Sequence, residues 1–383
     1  MLEFLKNLTP FELVIWAAFA ALLLFQIFYF LIIYRKLLFK KSVVRAKNTS
    51  YLPPISVVIC AKNEENNLRN FLPKVLEQDY PKFEVIVIND CSEDDSIDVL
   101  EELSQKYPHL YISNVKKDPI YRHGKKLALV LGIKAAKYNN IVLTDADCYP
   151  TSDKWLRSMA QHYSNKTQLI LGISPYEKGK GLLGQVIGYE NLLTSIAYIS
   201  SAMRGKAYKG VGRNMAYTKD LFYKNKGFSG HTHILAGDDD IFVTKAATRD
   251  NVTVEISAES IVKTLPKTYW SDFFKQKHHH LSTCRFYKKR PKLKFIFETI
   301  IGVLFVSAFI TLLAAKSYPL IAIGVYLLRY IIICTYRSIA AKKMNLGQKY
   351  IFQGLWLEII VPIIRFTIIV INLFKVKRRY TWR

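Results

Sequence analysis

Two aspartates, Asp145 and Asp147, follow a short apolar run at residues 141–144 in a chain that is otherwise strongly basic. Such a run is typical of a buried strand. Alternate residues of an extended backbone point the same way, so both carboxylates can face one cleft. Two carboxylates together suit a hard divalent cation that also holds a diphosphate. The alternative is that one aspartate caps the next helix or forms an Asx turn.

Polar residues also follow two other predicted strands. Asn63 and Glu64 come after the run 55–60, and Asp90 ends the run 84–90. Because the carboxyl ends of parallel strands form the ligand-binding edge of open α/β sheets, we expect these loops to meet the paired aspartates at one site. Asp90 could accept hydrogen bonds from a base or a ribose. Its alternative role is negative charge near the start of the next helix.

A second acidic cluster places Asp238, Asp239 and Asp240 directly after Gly237. Three adjacent carboxylates cannot all point inward. One would serve as a general base, an effect worth about 10²–10⁴-fold, and the others would be solvated or structural. The alternative is a helix N-cap followed by acids in the first turn.

Basic and amide side chains complete the candidate set. Lys125 could contact phosphate, but no GxxxxGK surrounds it, so a P-loop is excluded and a solvated helix lysine is the alternative. His278, His279 and His280 point in different directions on any regular backbone, so we expect a donor to phosphate or sugar rather than a three-histidine zinc site. Asn214, in VGRNMAY, lies where flanking glycine allows close backbone approach.

The elements that must position these residues alternate between strand and helix. Short β-branched runs predict strands at 55–60, 84–90, 110–115 and 140–144, each separated from the next by a helical pattern. This alternation predicts an α/β fold with right-handed crossovers and a mainly parallel sheet covered on both faces.

Apolar segments flank this middle region. The run from Phe11 has about 20 residues without Lys or Arg, enough to cross a bilayer as a signal anchor. The basic residues that follow, at 35–47, predict that the middle region is cytoplasmic. Segments 295–315 and 319–336 are typical of a membrane hairpin. Segment 351–374, interrupted by charge and proline, could span, re-enter or lie at the interface.

Composition adds further limits. The chain has 55 Lys and Arg against 30 Asp and Glu, but the excess lies beside the apolar segments and no nucleic-acid module accompanies it, so nucleic acid is not an expected partner. Five scattered cysteines predict free thiols.

Segment 181–203 is predicted to be an amphipathic helix at the membrane surface or, alternatively, part of the core. We expect an anchor at 1–50, a catalytic domain at 51–294 and membrane helices at 295–383.

In content and order, these motifs resemble the membrane-integrated glycosyltransferases of family 2, whose catalytic domain has the GT-A fold. The resemblance covers about residues 53–290 and the flanking spans. It is carried by six segments, which are VVICAKNEENNL, VINDCSEDDS, GKKLAL, TDADC, GRNMAY and GDDDIFV.

The resemblance implies a multi-pass enzyme of the cell (inner) membrane that transfers a sugar with inversion. Its donor would be a nucleotide sugar, UDP-linked, its acceptor a membrane lipid or lipid-linked glycan, and its cofactor Mg²⁺ or Mn²⁺. The site residues carried over are, for the nucleotide sugar, Asn63, Glu64, Asp90, Lys125 and Asp145; for the metal, Asp147 and Asp145; for catalysis, Asp239 and Asp238; and for the acceptor and diphosphate, Asn214, Gln276 and His279.

The chain also departs from the family pattern. Asp238 replaces a glutamate, and Asp240 leaves the register of the base open by one residue. Gln276 matches the Gln-x-x-Arg-Trp motif of chain-extending synthases, but the Arg and Trp are replaced, which argues against processive polymerisation. A processive polysaccharide synthase and a non-catalytic nucleotide-sugar-binding scaffold remain alternatives. A glycosidase also uses two carboxylates but needs no nucleotide site.

Overall fold

The computed structural model describes residues 8–39, 52–116, 124–229, 237–283, 289–347 and 350–374; at 279, 281–283, 289–295 and 372–374 it describes the backbone alone. The strands are β1 Ile55–Ala61, β2 Phe83–Asp90, β3 Leu110–Val115, β4 Asn140–Asp145, β5 Cys148–Pro150, β6 Leu169–Leu171, β7 Met215–Thr218, β8 Val252–Val254 and β9 Val262–Thr264. The helices are α1 Pro10–Phe39, α2 Glu65–Leu76, α3 Ser96–Lys106, α4 Lys125–Ala135, α5 Trp155–Ala160, α6 Gly181–Met203, α7 Lys219–Lys224, α8 Asp240–Ala246, α9 Trp270–Thr283, α10 Lys289–Ala314, α11 Pro319–Lys343 and α12 Gly354–Phe374.

Seven strands form one sheet in the order β3-β2-β1-β4-β7-β6-β8. The first four of these pair in parallel, as predicted, whereas β7 runs antiparallel to both β4 and β6. A separate two-stranded sheet joins β5 to β9. The predicted α/β architecture with a mainly parallel sheet is therefore confirmed.

The central strands are buried on both faces because apolar residues occur on both sides of each strand. In β1, Val58 packs with α4 and α6, while Val57 and Ile59 pack with α2, α3 and α5 on the opposite face. This alternation follows the two-residue period of an extended backbone. Two cores thus hold the carboxyl ends of the parallel strands at one fixed edge.

Four helices are long and apolar enough to cross a membrane within the described part of the chain. Their candidate spans are Pro10–Phe39, Ile296–Ala314, Pro319–Lys343 and Gly354–Ile371. The interrupted C-terminal segment is thus one continuous helix that contains Pro362. Helix α6, predicted as interfacial or core, packs against α1, α11 and α12 and also against β8. It therefore joins the sheet domain to the apolar helices.

Candidate active site

The carboxyl end of β4 carries the two paired aspartates. Asp145 is the last residue of β4, and both it and Asp147 line a cavity of about 570 Å³. The Thr264 hydroxyl donates to the Asp147 carbonyl at 3.2 Å, and the Cys148 thiol donates to Asp147 Oδ1 at 3.1 Å. Hydrogen bonds to the backbone and to the side chain of Asp147 therefore fix the turn between β4 and β5.

Lys125, the first residue of α4, lies between two of the acidic segments. Its Nζ is 2.8 Å from Asp145 Oδ1 and 3.2 Å from Asp238 Oδ2. Burial alone would lower the pKa of Lys125, but Asp145 and Asp238 raise it well above its usual value. The lysine is thus not the solvated helix residue of the alternative, and its contact with a substrate phosphate stays a prediction. It ties the β4 aspartates to the second acidic cluster.

The second acidic cluster begins with a glycine in the left-handed region. Gly237 has a φ of +90°, and a Cβ there would lie 2.4 Å from Ile241 Cδ1. The following residues, Asp238, Asp239 and Asp240, all line the cavity. Since a side chain at the first position would be strained and would clash, glycine is required for the turn into α8.

The three adjacent aspartates have different partners. Asp238 pairs with Lys125, and Asp240 Oδ2 lies 3.0 Å from Lys209 Nζ. Asp239 accepts backbone N–H groups instead, from Asp240 to Oδ1 at 2.6 Å and from Gly212 to Oδ2 at 3.2 Å, and it is the N-cap of α8. No described lysine or arginine forms an ion pair with it. Asp238 and Asp240 are buried, whereas Asp239 is partly exposed to the cavity.

Their pKa values separate accordingly. Burial raises the pKa of Asp239 to about 7, with further contributions from the charges of Asp240 and Asp238. Burial would also raise the pKa of Asp238, but Lys125 lowers it overall. A group whose pKa lies near neutral pH is suited to general acid–base catalysis. The geometry therefore favours Asp239 over its neighbours as a candidate base.

The donor set at β4 fits a hard divalent cation. Among the described residues, Asp145, Asp147 and Cys148 bring ligand atoms within 4.8 Å of one another. Burial, and then the charge of Asp147, raises the pKa of the Cys148 thiol well above its usual value, and a soft sulfur is a poor ligand for a hard divalent cation. The two carboxylates, completed by phosphate oxygens, suit Mg²⁺ or Mn²⁺.

The predicted nucleotide-side residues lie at the ends of β1 and β2. Asn63, with a φ of +55°, accepts the Glu93 N–H on Oδ1 at 2.8 Å, and Asp90 is buried at the end of β2. Burial raises the pKa of Glu64 to about 7, and the charge of Asp147 adds to the shift. Glu64 is therefore electrostatically coupled to the paired aspartates, although none of these three side chains forms the cavity wall described above.

The predicted acceptor-side residues are placed differently from one another. Asn214 is fully buried: its amide donates to the carbonyls of Ile173 and Ser260 and accepts from the Trp155 indole, so it does not reach the cavity. Gln276 does line the cavity. The side chain of His279 lies outside the described part of the chain.

Several cavity residues were not identified from the sequence. His280 lines the cavity one turn beyond Gln276, a spacing that the helical period would have indicated. Gly212 and Arg213, from the same motif as Asn214, also line it, together with Tyr176 and Lys209. His280, Gly212 and Arg213 could have been found from the sequence, because each lies close to a motif residue, either Gln276 or Asn214.

Comparison with known proteins identifies the family. Residues 18–383 match the sequence model of Glycosyl transferase family 21. The chain belongs to this family. The resemblance to membrane glycosyltransferases is thereby confirmed, with family 21 as the family whose model matches.

Two curated relatives match parts of this family 21 glycosyltransferase. A probable glycosyltransferase, YdaM, from Bacillus subtilis is 34% identical over 36% of this chain and 31% of the relative. The poly-beta-1,6-N-acetyl-D-glucosamine synthase of Staphylococcus epidermidis is 26% identical over 45% of this chain and 40% of the relative. The chain thus spans less than half the length of these relatives.

A solved structure shares the fold. The mannosyltransferase PcManGT from Pyrobaculum calidifontis, in complex with GDP-Man and Mn²⁺, superposes with a TM-score of 0.58 at 19% identity. The match covers 89% of this chain and 98% of that one. The predicted GT-A fold is therefore confirmed.

The cavity of this glycosyltransferase continues from the aspartates into the apolar helices. Its wall includes side chains from α1, α6, α10, α11 and α12. Two carboxylates on this wall are each held between two cations: Glu190 by Lys277 and by Arg365 at 3.2 Å, and Glu358 by Arg337 and by Arg329 at 2.6 Å. One continuous space therefore connects the candidate catalytic carboxylates with the interior of the apolar helices.

Proposed function

We propose that this family 21 enzyme transfers a sugar, with inversion, from a nucleotide-sugar donor to a hydroxyl of a membrane-associated acceptor, either a lipid or a lipid-linked glycan. The observation that carries the proposal is the single cavity that joins the aspartates to the spanning helices. An acceptor whose apolar part lies among those helices could present its hydroxyl to Asp239 without leaving the bilayer.

In the proposed reaction, Asp239 removes the proton of the acceptor hydroxyl. The hydroxyl oxygen forms a bond to the anomeric carbon as the bond from that carbon to the diphosphate breaks. The nucleoside diphosphate leaves with the bonding electron pair. Lys125 would hold Asp145 and Asp238 in place during this step, since its Nζ contacts both carboxylates.

Asp145 and Asp147 would hold a divalent cation, Mg²⁺ or Mn²⁺, which supplies positive charge next to the diphosphate. Asn63, Glu64 and Asp90 would lie around the nucleotide, because they are at the carboxyl ends of β1 and β2, which follow one another on one side of β4 in the sheet. Gln276 would lie on the acceptor side, since it is on the cavity wall. His280 would lie there as well, since it is also on the cavity wall, and the role of His279 stays a prediction.

The basic segment at 35–47 supports a protein of the cell membrane whose catalytic domain lies in the cytoplasm. A UDP-linked donor follows from the family resemblance, while the Pyrobaculum protein, with GDP-Man and Mn²⁺, supports a nucleotide-sugar donor and a cation more generally. The staphylococcal relative, named as a polysaccharide synthase, makes repeated transfer the alternative to be tested.

The test is incubation of the full-length protein in membranes with a panel of UDP- and GDP-linked sugars and lipid extract, followed by mass analysis of products. We expect one donor to yield a lipid product heavier by one sugar. A ladder of products on a gel would instead establish a processive synthase. Nucleotide-sugar binding without release of nucleoside diphosphate would establish a non-catalytic scaffold.

A further inference from the structure

We propose that Arg213 binds a substrate phosphate on the wall of the catalytic cavity, an assignment that rests on the proposed function. Arg213 lines the cavity together with Asp145 and Asp147. Two sources of phosphate are chemically equivalent here. One is the diphosphate of the donor, and the other is a phosphate in the head group of the acceptor lipid.

The backbone on both sides of Arg213 is fixed. The preceding residue, Gly212, donates its N–H to Asp239, and the following residue, Asn214, is held by three side-chain hydrogen bonds in the core. Gly172 packs so closely against Asn214 that a Cβ there would lie 2.5 Å from its amide. The position of Arg213 is therefore coupled to both the candidate base and the sheet.

The guanidinium is held in a way that leaves donors available. Its Nη2 donates to the Ser174 carbonyl at 3.4 Å, and its central carbon lies 4.7 Å from the centre of the Tyr176 ring. The Tyr176 hydroxyl in turn donates to Gln276 Oε1 at 3.5 Å. A carbonyl and an aromatic face position a guanidinium without neutralising its charge.

Three lysines on the same cavity wall are already paired with carboxylates. Lys125, Lys209 and Lys277 each form an ion pair with a carboxylate, whereas no described carboxylate lies within ion-pair distance of Arg213. Burial would lower the pKa of Arg213, but Tyr176, Cys148 and Asp147 raise it overall, so the charge is retained. The N–H groups of a charged, planar guanidinium match two oxygens of a phosphate.

The place of this charge favours the donor diphosphate as the source. Asp147 is the proposed cation ligand and lies close enough to affect Arg213 electrostatically. A diphosphate bound to a cation at Asp145 and Asp147 would lie in the same cavity whose wall carries Arg213. The leaving diphosphate would then gain a second counter-charge that the cation alone does not supply.

The experiment is calorimetric titration of the full-length protein in nanodiscs with Mn²⁺, using UDP and UMP, and GDP and GMP. Arg213→Gln should weaken diphosphate binding by about tenfold or more, since a hydrogen bond to a charged group is lost. Binding of the matching monophosphate should change by less than about twofold, which also shows that the variant is folded. Arg213→Lys should recover part of the loss, and the exposed Arg249→Gln should have no effect.

The lipid arm measures transfer to acceptor lipids with and without a phosphate in the head group. If Arg213→Gln leaves nucleotide binding intact but slows transfer to phosphate-bearing lipids alone, the phosphate belongs to the acceptor. If neither arm changes, or if mono- and diphosphate binding weaken equally, the assignment is overturned while the proposed function stands. A wild-type protein that binds no nucleoside diphosphate would overturn the proposed function and this assignment with it.

Discussion

Two regions of the same cavity hold buried charge in opposite ways. The catalytic rim, defined by Asp145, Asp147 and Asp238–Asp240, has more carboxylates than the lysines that pair with them, Lys125 and Lys209. The membrane clusters reverse the ratio, since Glu190 and Glu358 are each held by two cations. A positive ligand would complete the rim, whereas each carboxylate of the membrane clusters already has two cationic partners.

Removal of divalent metal is the change that should break this comparison most completely. Because Asp145 and Asp147 would hold the cation next to the diphosphate, we expect a chelator to reduce transfer to background, and Mn²⁺ or Mg²⁺ to restore it. The thermal unfolding midpoint should move little, since the membrane clusters carry their own counter-charges. Full transfer in chelator would contradict the assignment of Asp145 and Asp147 as metal ligands.

The membrane clusters should dominate stability instead. Glu358→Gln would leave Arg329 and Arg337 without their shared carboxylate in a buried setting, an effect of about 3–5 kcal/mol when one partner of a buried pair is removed. Thermal unfolding in nanodiscs should show a large fall in the midpoint.

Glu102→Gln is the matched control for Glu358→Gln. It breaks the exposed pair with Arg69 and should cost less than about 1 kcal/mol. Equal midpoints for the two variants would show that the membrane cluster contributes nothing to the fold.

The sequence predicted those parts of the rim that depend on local pattern. The four parallel strands and the acidic loops at their ends follow from short apolar runs and the order of motifs. The strands β5, β6, β8 and β9 have three residues each, too few to show a period. The Pro362-containing helix was also left open, since a proline within an apolar segment is compatible with several arrangements.

The register of the candidate base could not be predicted because it depends on distant partners. Lys125 and Lys209 select Asp238 and Asp240 for ion pairs, and neither lysine is near these aspartates in sequence. Likewise, Asn214 was expected on the acceptor side, but its burial depends on contacts with Gly172 and Trp155. Contacts between remote segments decide such details, and no local pattern encodes them.

Within the rim, Asp239 should carry the largest single-residue effect on turnover. Asp239→Asn keeps the shape of the side chain and one oxygen that can accept a backbone N–H, but it removes the base, so transfer should fall by at least about a hundredfold. Donor binding should remain close to that of the wild type. The exposed Asp250→Asn is the matched control. Near-normal turnover of Asp239→Asn would assign the proton to a neighbour.

The pH dependence gives the smallest and sharpest effect. The pKa of Asp239 is raised to about 7, and the base acts only when ionised, so transfer should rise with pH, reach half of its maximum at about pH 7 and level off above that value. Asp240→Asn removes one of the negative charges that raise this pKa, so the midpoint should move to lower pH by about one unit. Transfer rates measured at saturating donor between about pH 5 and about pH 9 would show the shift of the midpoint. Asp250→Asn should leave the profile unchanged, and an unmoved midpoint in Asp240→Asn would assign the titration to a group that does not interact with Asp240.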